Sequence, residues 1–211
     1  PEWYVQQGIE LISGQTVVDI NRRRRQVITD QGLCLDYDRL LLATGSVPFI
    51  IPIPNHNHAC VLSFRDIQDV EAMLVATTHK KRVAVIGGGL LGLEAANGLL
   101  KRGVDVTVIH DMPCLMNRQL DSEAAHLLQK QLEDNGMKFR MGMMTKEIVA
   151  KDEHHLSHIA FKDADDLETD LVIMAVGIRP NVALAKQIGI GESTLSTYEH
   201  NGRPVPPAVV A

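Results

Sequence analysis

The sequence predicts an α/β fold: a doubly wound sheet of mostly parallel strands, accompanied by an antiparallel meander. Three observations carry that prediction. Between residues 60 and 135, short runs rich in Val and Ile alternate with stretches of helical periodicity. A glycine loop at 87–92 joins one such run directly to one such helix. After residue 137 short strands recur without helical spacing, and the last, "LVIMAVG" at 171–177, is apolar throughout, as a buried parallel strand requires.

Residues 10–42 read as short strands, with "LISGQTVVDI" and "QVITD" on either side of a polar tip. "QGLCLDYD" turns the chain into "RLLLATG", read as a buried strand ending at Gly45. The prolines of "SVPFIIPIPN" exclude helix and favour an extended connector. From Ser63, the positions Ile67, Val70, Met73 and Leu74 fall at helical spacing, opened by Asp and closed by Lys. Strand "RVAVI", the glycine loop, a helix from about Leu90 to Arg102 ended by Gly103, and strand "VDVTVI" then complete a βαβ unit. A second amphipathic helix carries Leu120, Ala124, Leu127, Leu128 and Leu132 on one face and stops at Asn135-Gly136. "MKFRMGM", "KEIVA" and "HLSHIAFK" follow as the meander. This order implies one domain from about 60 to 176, with pieces of a different layer at 1–59 and 177–211.

Composition narrows the function. The 211 residues carry a net charge of −5, so no overall field draws the chain to nucleic acid or to an anionic membrane. Charged side chains interrupt every apolar run well short of the roughly 20 residues that span a bilayer, and no secretory signal is visible. Cys34, Cys60 and Cys114 form no closely spaced pair, which speaks against a thiol redox couple and suits a reducing cytoplasm. "RRRR" at 22–25 is a solvated hairpin tip without interleaved aromatics. His154 and His155 are adjacent on a strand and so face opposite ways, and no metal site is expected at "HHLSH" or "HNH".

Gly87, Gly89 and Gly92 form G-x-G-x-x-G between a strand and a helix. The first glycine allows a tight turn, the second lets backbone approach a diphosphate, and the third lets the helix press on the strand. Gly88, Leu90 and Leu91 complete a loop whose N–H groups and helix dipole favour phosphate. The context predicts a Rossmann-like site for a nicotinamide dinucleotide. About 20 residues on, where an acidic side chain holds the adenosine ribose, stand His110 and Asp111. Asp111 could take the ribose hydroxyl, or a protonated His110 could lie beside a 2′-phosphate. Arg118 is either a phosphate partner or a solvated surface residue. NADH is favoured over NADPH.

The segments "YDRLLLATGSVPFIIPIP", "VAVIGGGLLGLEAANGLLKRGVDVTVI" and "DLVIMAVGIRPN" appear in that order. Together they resemble the flavin-dependent pyridine nucleotide oxidoreductases, in which an NAD-binding domain is inserted into an FAD-binding domain. The words "ATGSVPF", "FRDIQDV", "GGGLLGLEAA" and "MPCLMNRQLD" are most similar to the nitrite reductase large-subunit branch of that family. Ferredoxin and rubredoxin reductases and NADH oxidases share most of them, and a catalytically silent nucleotide-binding fragment is the other alternative. The resemblance implies hydride transfer from NADH to FAD, then onward transfer to iron–sulfur and sirohaem centres outside this chain. It sets Ala43, Thr44 and Gly45 against the flavin and Glu94 near the nicotinamide, unless Glu94 is simply a helix-surface residue. It sets the backbone of Ala175, Val176 and Gly177 at the nicotinamide half. A homodimer is admissible. Residues 1–59 would be a partial FAD-binding domain: the family's first glycine fingerprint would precede residue 1. Its ribityl-gripping motif is absent from the tail after about Gly191, which reads as a truncated or frame-shifted end. FAD is therefore expected in the full-length protein and not in this chain alone.

Overall fold

The computed structural model of the chain describes residues 2–190. They divide into two compact units, one formed by the segments up to Ser46 and from Pro180 onward, the other by Val47–Arg179. The atypical tail from about Gly191 lies outside the described residues.

The first unit opens with a short exposed helix, α1 (Glu2–Gln6). Strands β1 (Val17–Asn21), β2 (Gln26–Thr29) and β3 (Cys34–Asp36) follow as an antiparallel three-stranded sheet. The four arginines form the turn between β1 and β2, with Arg25 at φ 54 and Asn21 Oδ1 accepting from Arg24 N–H. The expected buried strand at 39–45 is not formed. The segment is irregular and alternates exposed with half-buried residues. Apolar sequence makes a buried strand only with a ladder partner on each side, and the described residues of this unit supply none there.

Strand β4 (Ser46–Pro48) carries the chain into the second unit, and the extended connector follows. Strand β5 (Val61–Ser63) leads into α2 (Ile67–Ala76). Asp66 caps α2 by accepting from Asp69 N–H, while the Asp69 carboxylate accepts from the Asp66 N–H, a reciprocal capping box. Then come β6 (Arg82–Ile86), α3 (Leu90–Leu100), β7 (Asp105–His110), α4 (Ser122–Asp134) and β8 (Lys138–Met141). Strands β9 (Thr145–Asp152), β10 (His155–Phe161) and β11 (Leu167–Glu168) form a separate antiparallel sheet. Strand β12 (Leu171–Met174) returns to the main sheet, and β13 (Ile178–Pro180) pairs with β4. Helix α5 (Ala183–Gln187) belongs to the first unit.

The main sheet has the order β5-β12-β6-β7-β8 with every pairing parallel. The connections through α2, α3 and α4 all step in one direction across it, and right-handed crossover puts those helices on one face. The return from β8 to β12 steps the other way, so β9–β11 cover the opposite face. Ile148, Leu156, Ile159 and Phe161 of that small sheet accordingly share one buried cluster with Val83, Val85, Val106, Val108 and Ile173.

Two local expectations are corrected. "MKFRMGM" belongs to the parallel sheet as β8 and not to the meander. In α4 the inward residues are Ala125, Leu128 and Leu132, whereas Leu127 is 62% exposed. One step along a helix rotates a side chain by about 100°, and the run Leu127-Leu128 left the phase ambiguous.

Candidate functional site

The second unit has a topological switch at the carboxyl ends of β6 and β12. They are neighbouring strands, yet one connection leads on to β7 while β12 arrived from the far side. Crevices of this kind receive ligands in open α/β sheets. The glycine loop leaves β6 there, and Ala175-Val176-Gly177 leaves β12 beside it.

Each loop glycine meets a different demand. Gly87 has φ +122, and a Cβ on it would lie 2.2 Å from the Ala175 carbonyl oxygen. Its N–H donates to Ile109 O at 2.8 Å, and Ala175 N–H donates to Ile86 O at 2.8 Å, so three strand ends are laced together. A Cβ on Gly92 would lie 1.9 Å from Gly87 O, which fixes how closely α3 approaches the loop. Gly89 is the opposite case: the space its Cβ would enter holds no protein atom within 4 Å. Gly89 is also the N-cap of α3 and carries no side-chain cap. The first-turn N–H groups of Leu90 and Leu91 therefore point from the positive end of the helix dipole with no intrahelical acceptor. An open backbone face beside uncapped donors fits a diphosphate.

Gly88 is gripped on every side. Its N–H donates to His110 Nδ1 at 3.2 Å, and its carbonyl accepts from Met116 N–H at 2.9 Å. A Cβ there would lie 2.8 Å from the His110 ring and from Leu115. Leu115 is fully buried, and Met116 holds a left-handed φ of 47. The turn "MPCLMN" is thus a buttress for the loop, a role the sequence reading missed. A Leu-Met pair after the second strand of the unit is its one sequence trace.

The remaining candidates are placed as follows. His110 lies under the loop, and Asp111 is exposed at the end of β7 with Oδ1 3.3 Å from His110 Nδ1. Nδ1 therefore stands between a donor and an acceptor: the Gly88 N–H calls for a lone pair on it, with the ring proton on Nε2, whereas the Asp111 carboxylate calls for a proton on it. Arg118 is exposed on the 111–119 turn, and Glu94 is exposed on α3. Val176 is half-buried, and Gly177, at φ +121, accepts from Phe49 N–H at 2.9 Å. Next to it, Arg179 stacks its guanidinium 4.0 Å from the Phe49 ring centroid.

In the first unit, Ala43, Thr44 and Gly45 are exposed. Thr44 Oγ1 donates to Asn181 O at 2.5 Å, and Gly45 O accepts from Asn181 N–H at 2.9 Å. The Thr44 hydroxyl and the Gly45 carbonyl are thereby engaged within the first unit. Taken alone, this segment does not fit as an FAD site. Among the described residues no group of three or more His, Cys, Asp or Glu is placed to hold a metal ion, and no helix is long and apolar enough to cross a membrane.

Comparison with known proteins bears on the family and the fold. The family model for pyridine nucleotide-disulphide oxidoreductases matches residues 4–199. A nitrite reductase [NAD(P)H] of Bacillus subtilis is 51% identical over 189 residues, covering 90% of this chain and 23% of that protein. An assimilatory nitrate reductase electron transfer subunit of the same organism is 45% identical, covering 90% of this chain and 24% of its own length. The chain therefore spans about a quarter of these curated relatives. Among solved structures, a ferredoxin reductase from Rhodopseudomonas palustris superposes with a TM-score of 0.83 at 31% identity, over 89% of this chain and 46% of that one.

Proposed function

The chain belongs to the pyridine nucleotide-disulphide oxidoreductase family, and on that premise we propose that residues 60–176 bind NAD(P)H, with NADH favoured, as the electron-entry part of a flavin-dependent reductase. The observation that carries this reading is the open face of Gly89 at the uncapped start of α3, set where two parallel strands part. Residues 1–59 and 177–211 are assigned to the flavin-binding part of the parent protein.

Backbone N–H groups of Gly89, Leu90 and Leu91 hold the diphosphate, and Gly87, Gly88 and Gly92 fix the loop that presents them. Asp111, its carboxylate 68% exposed, takes the adenosine ribose hydroxyl and repels a 2′-phosphate, which is the basis for preferring NADH. Arg118 on the adjoining turn is available to the adenosine phosphate. Glu94 and the backbone of Ala175, Val176 and Gly177 serve the nicotinamide half. When bound, the coenzyme supplies a hydride for a flavin, so this chain positions and shields without donating or accepting protons. Ala43, Thr44 and Gly45 are assigned to the flavin side of the parent protein, where segments outside this chain would complete the FAD site. Reduction of nitrite, with the redox centres that accomplish it, is assigned to segments outside this chain. Three free thiols and a nicotinamide donor fit a cytoplasmic enzyme.

Side-by-side titration with NADH and NADPH tests the reading. Tighter binding of NADH is expected. Equal or reversed affinities overturn the role of Asp111, and no binding of either coenzyme at millimolar concentration overturns the whole assignment.

A further inference from the structure

We propose that His110 is a positioning residue for nucleotide binding: its neutral ring latches the glycine loop in the ligand-ready form, and its protonation releases the latch. This rests on the nucleotide-binding reading above and adds to it a dependence on pH.

The geometry around the ring permits two arrangements. In the neutral ring, Nδ1 carries a lone pair and accepts the Gly88 N–H at 3.2 Å. In the protonated ring both nitrogens carry hydrogen, so Nδ1 faces the Gly88 N–H donor to donor, and that bond is lost. The same nitrogen has Asp111 Oδ1 at 3.3 Å, one residue along the chain, as its replacement partner. Nε2 is buried with no hydrogen-bond partner and gives the charged ring no second acceptor. The side chain is only 11% exposed, so bulk water offers little in its place.

Both consequences of the exchange weaken the site. The Gly88 peptide loses its support on one side, and it directly precedes the N–H groups assigned to the diphosphate. Asp111 Oδ1, already 3.3 Å from Nδ1, becomes the partner of a charged ring and is held there in competition with the ribose hydroxyl.

The charges facing the ring are few. Gly87 and Gly88 after β6 carry none, and neither does Leu115 on the buttress turn. On β8 the partner of His110 is Met141, while Arg140 pairs with Ile109 and so projects from the other face of the sheet. Glu94 on α3 and Arg118 on the turn are exposed and make no ion pair with the ring. Among the described residues Asp111 is the charged group paired with it.

The test is titration with ADP-ribose, an acid-stable diphosphate probe, from about pH 8 to about pH 5.5, on the full chain and on His110→Asn. An Asn carbonyl oxygen can stand where Nδ1 stands and accept the Gly88 N–H without titrating. Wild-type affinity is expected to fall about tenfold as the imidazole protonates, the worth of one well-formed hydrogen bond. The affinity of His110→Asn, whatever its level, stays flat. A flat wild-type profile, or a parallel fall in the variant, overturns the proposal. Amide NMR over the same range separates the two readings. A Gly88 resonance that moves with the His110 ring supports the latch even if ADP-ribose fails to bind at pH 8, a failure that sinks the nucleotide reading alone. A Gly88 resonance that ignores the ring overturns the latch.

Discussion

At the scale of single residues, Gly89 and Gly92 separate two reasons for conserving volume around a loop. An alanine at Gly92 would set its methyl carbon 1.9 Å from the Gly87 carbonyl oxygen, a backbone atom that cannot swing aside. Gly92→Ala is therefore expected to lower stability by on the order of 2–4 kcal/mol and to weaken NADH binding as α3 shifts. An alanine at Gly89 meets nothing in the protein, and its φ of −87 is ordinary for any residue. Gly89→Ala should leave the melting temperature within about 1 °C of wild type, yet weaken NADH binding, since the methyl occupies the diphosphate's approach. Thermal melts and coenzyme titrations on both variants check the contrast; equal damage from the two would refute it. These glycines were legible in the sequence because strand, loop and helix are contiguous there. The His110–Gly88 bond was not, because it joins residues 22 positions apart that share no periodicity.

At the scale of elements, two interactions set how strands and helices of the second unit begin. The capping box of Asp66 and Asp69 opens α2, and Asp66→Ala is expected to cost about 1 kcal/mol in a denaturant melt, as removal of such a cap does. The start of β6 is tied to β11 and to the residue just before β12 by Arg82, whose guanidinium donates to Asp170 at 2.7 Å and also pairs with Glu168. Hydrogen bonding by Arg82 holds the Asp170 carboxyl below its usual range. A carboxylate with a lowered folded-state pKa adds stability that is complete above its unfolded value of about 3.9 and is lost as pH falls through the folded value. The stability gap between wild type and Asp170→Asn should therefore be widest at neutral pH and shrink below about pH 4. A gap independent of pH would show that the ion pair contributes nothing. Element identity was well predicted where pattern and punctuation are local, as in α3, α4 and the β1–β2 hairpin. It failed where the decision belongs to distant partners. "RLLLATG" has the composition of a strand without neighbours to make it one, and nothing in "MKFRM" tells a parallel partner from an antiparallel one.

At the scale of the whole molecule, the buried cluster that unites the main sheet, its helices and the meander lies entirely within Val47–Arg179. Ile20 and Ala185 are the buried apolar side chains of the first unit's described residues, and neither belongs to that cluster. Folding energy scales with apolar area removed from water, so the second unit holds nearly all of it among the described residues. The proposed nucleotide site is also drawn wholly from that unit: β6, α3, β7, the buttress turn and the end of β12. A fragment comprising Val47–Arg179 is accordingly expected to fold cooperatively, to melt within a few degrees of the full chain, and to bind NADH with the same affinity. Calorimetric melts and coenzyme titrations of fragment and full chain measured together decide it. A fragment that melts without cooperativity would show that the flanking segments complete the core. One that folds but loses NADH would move part of the site into those segments, and with it the assignment of the coenzyme to 60–176 alone.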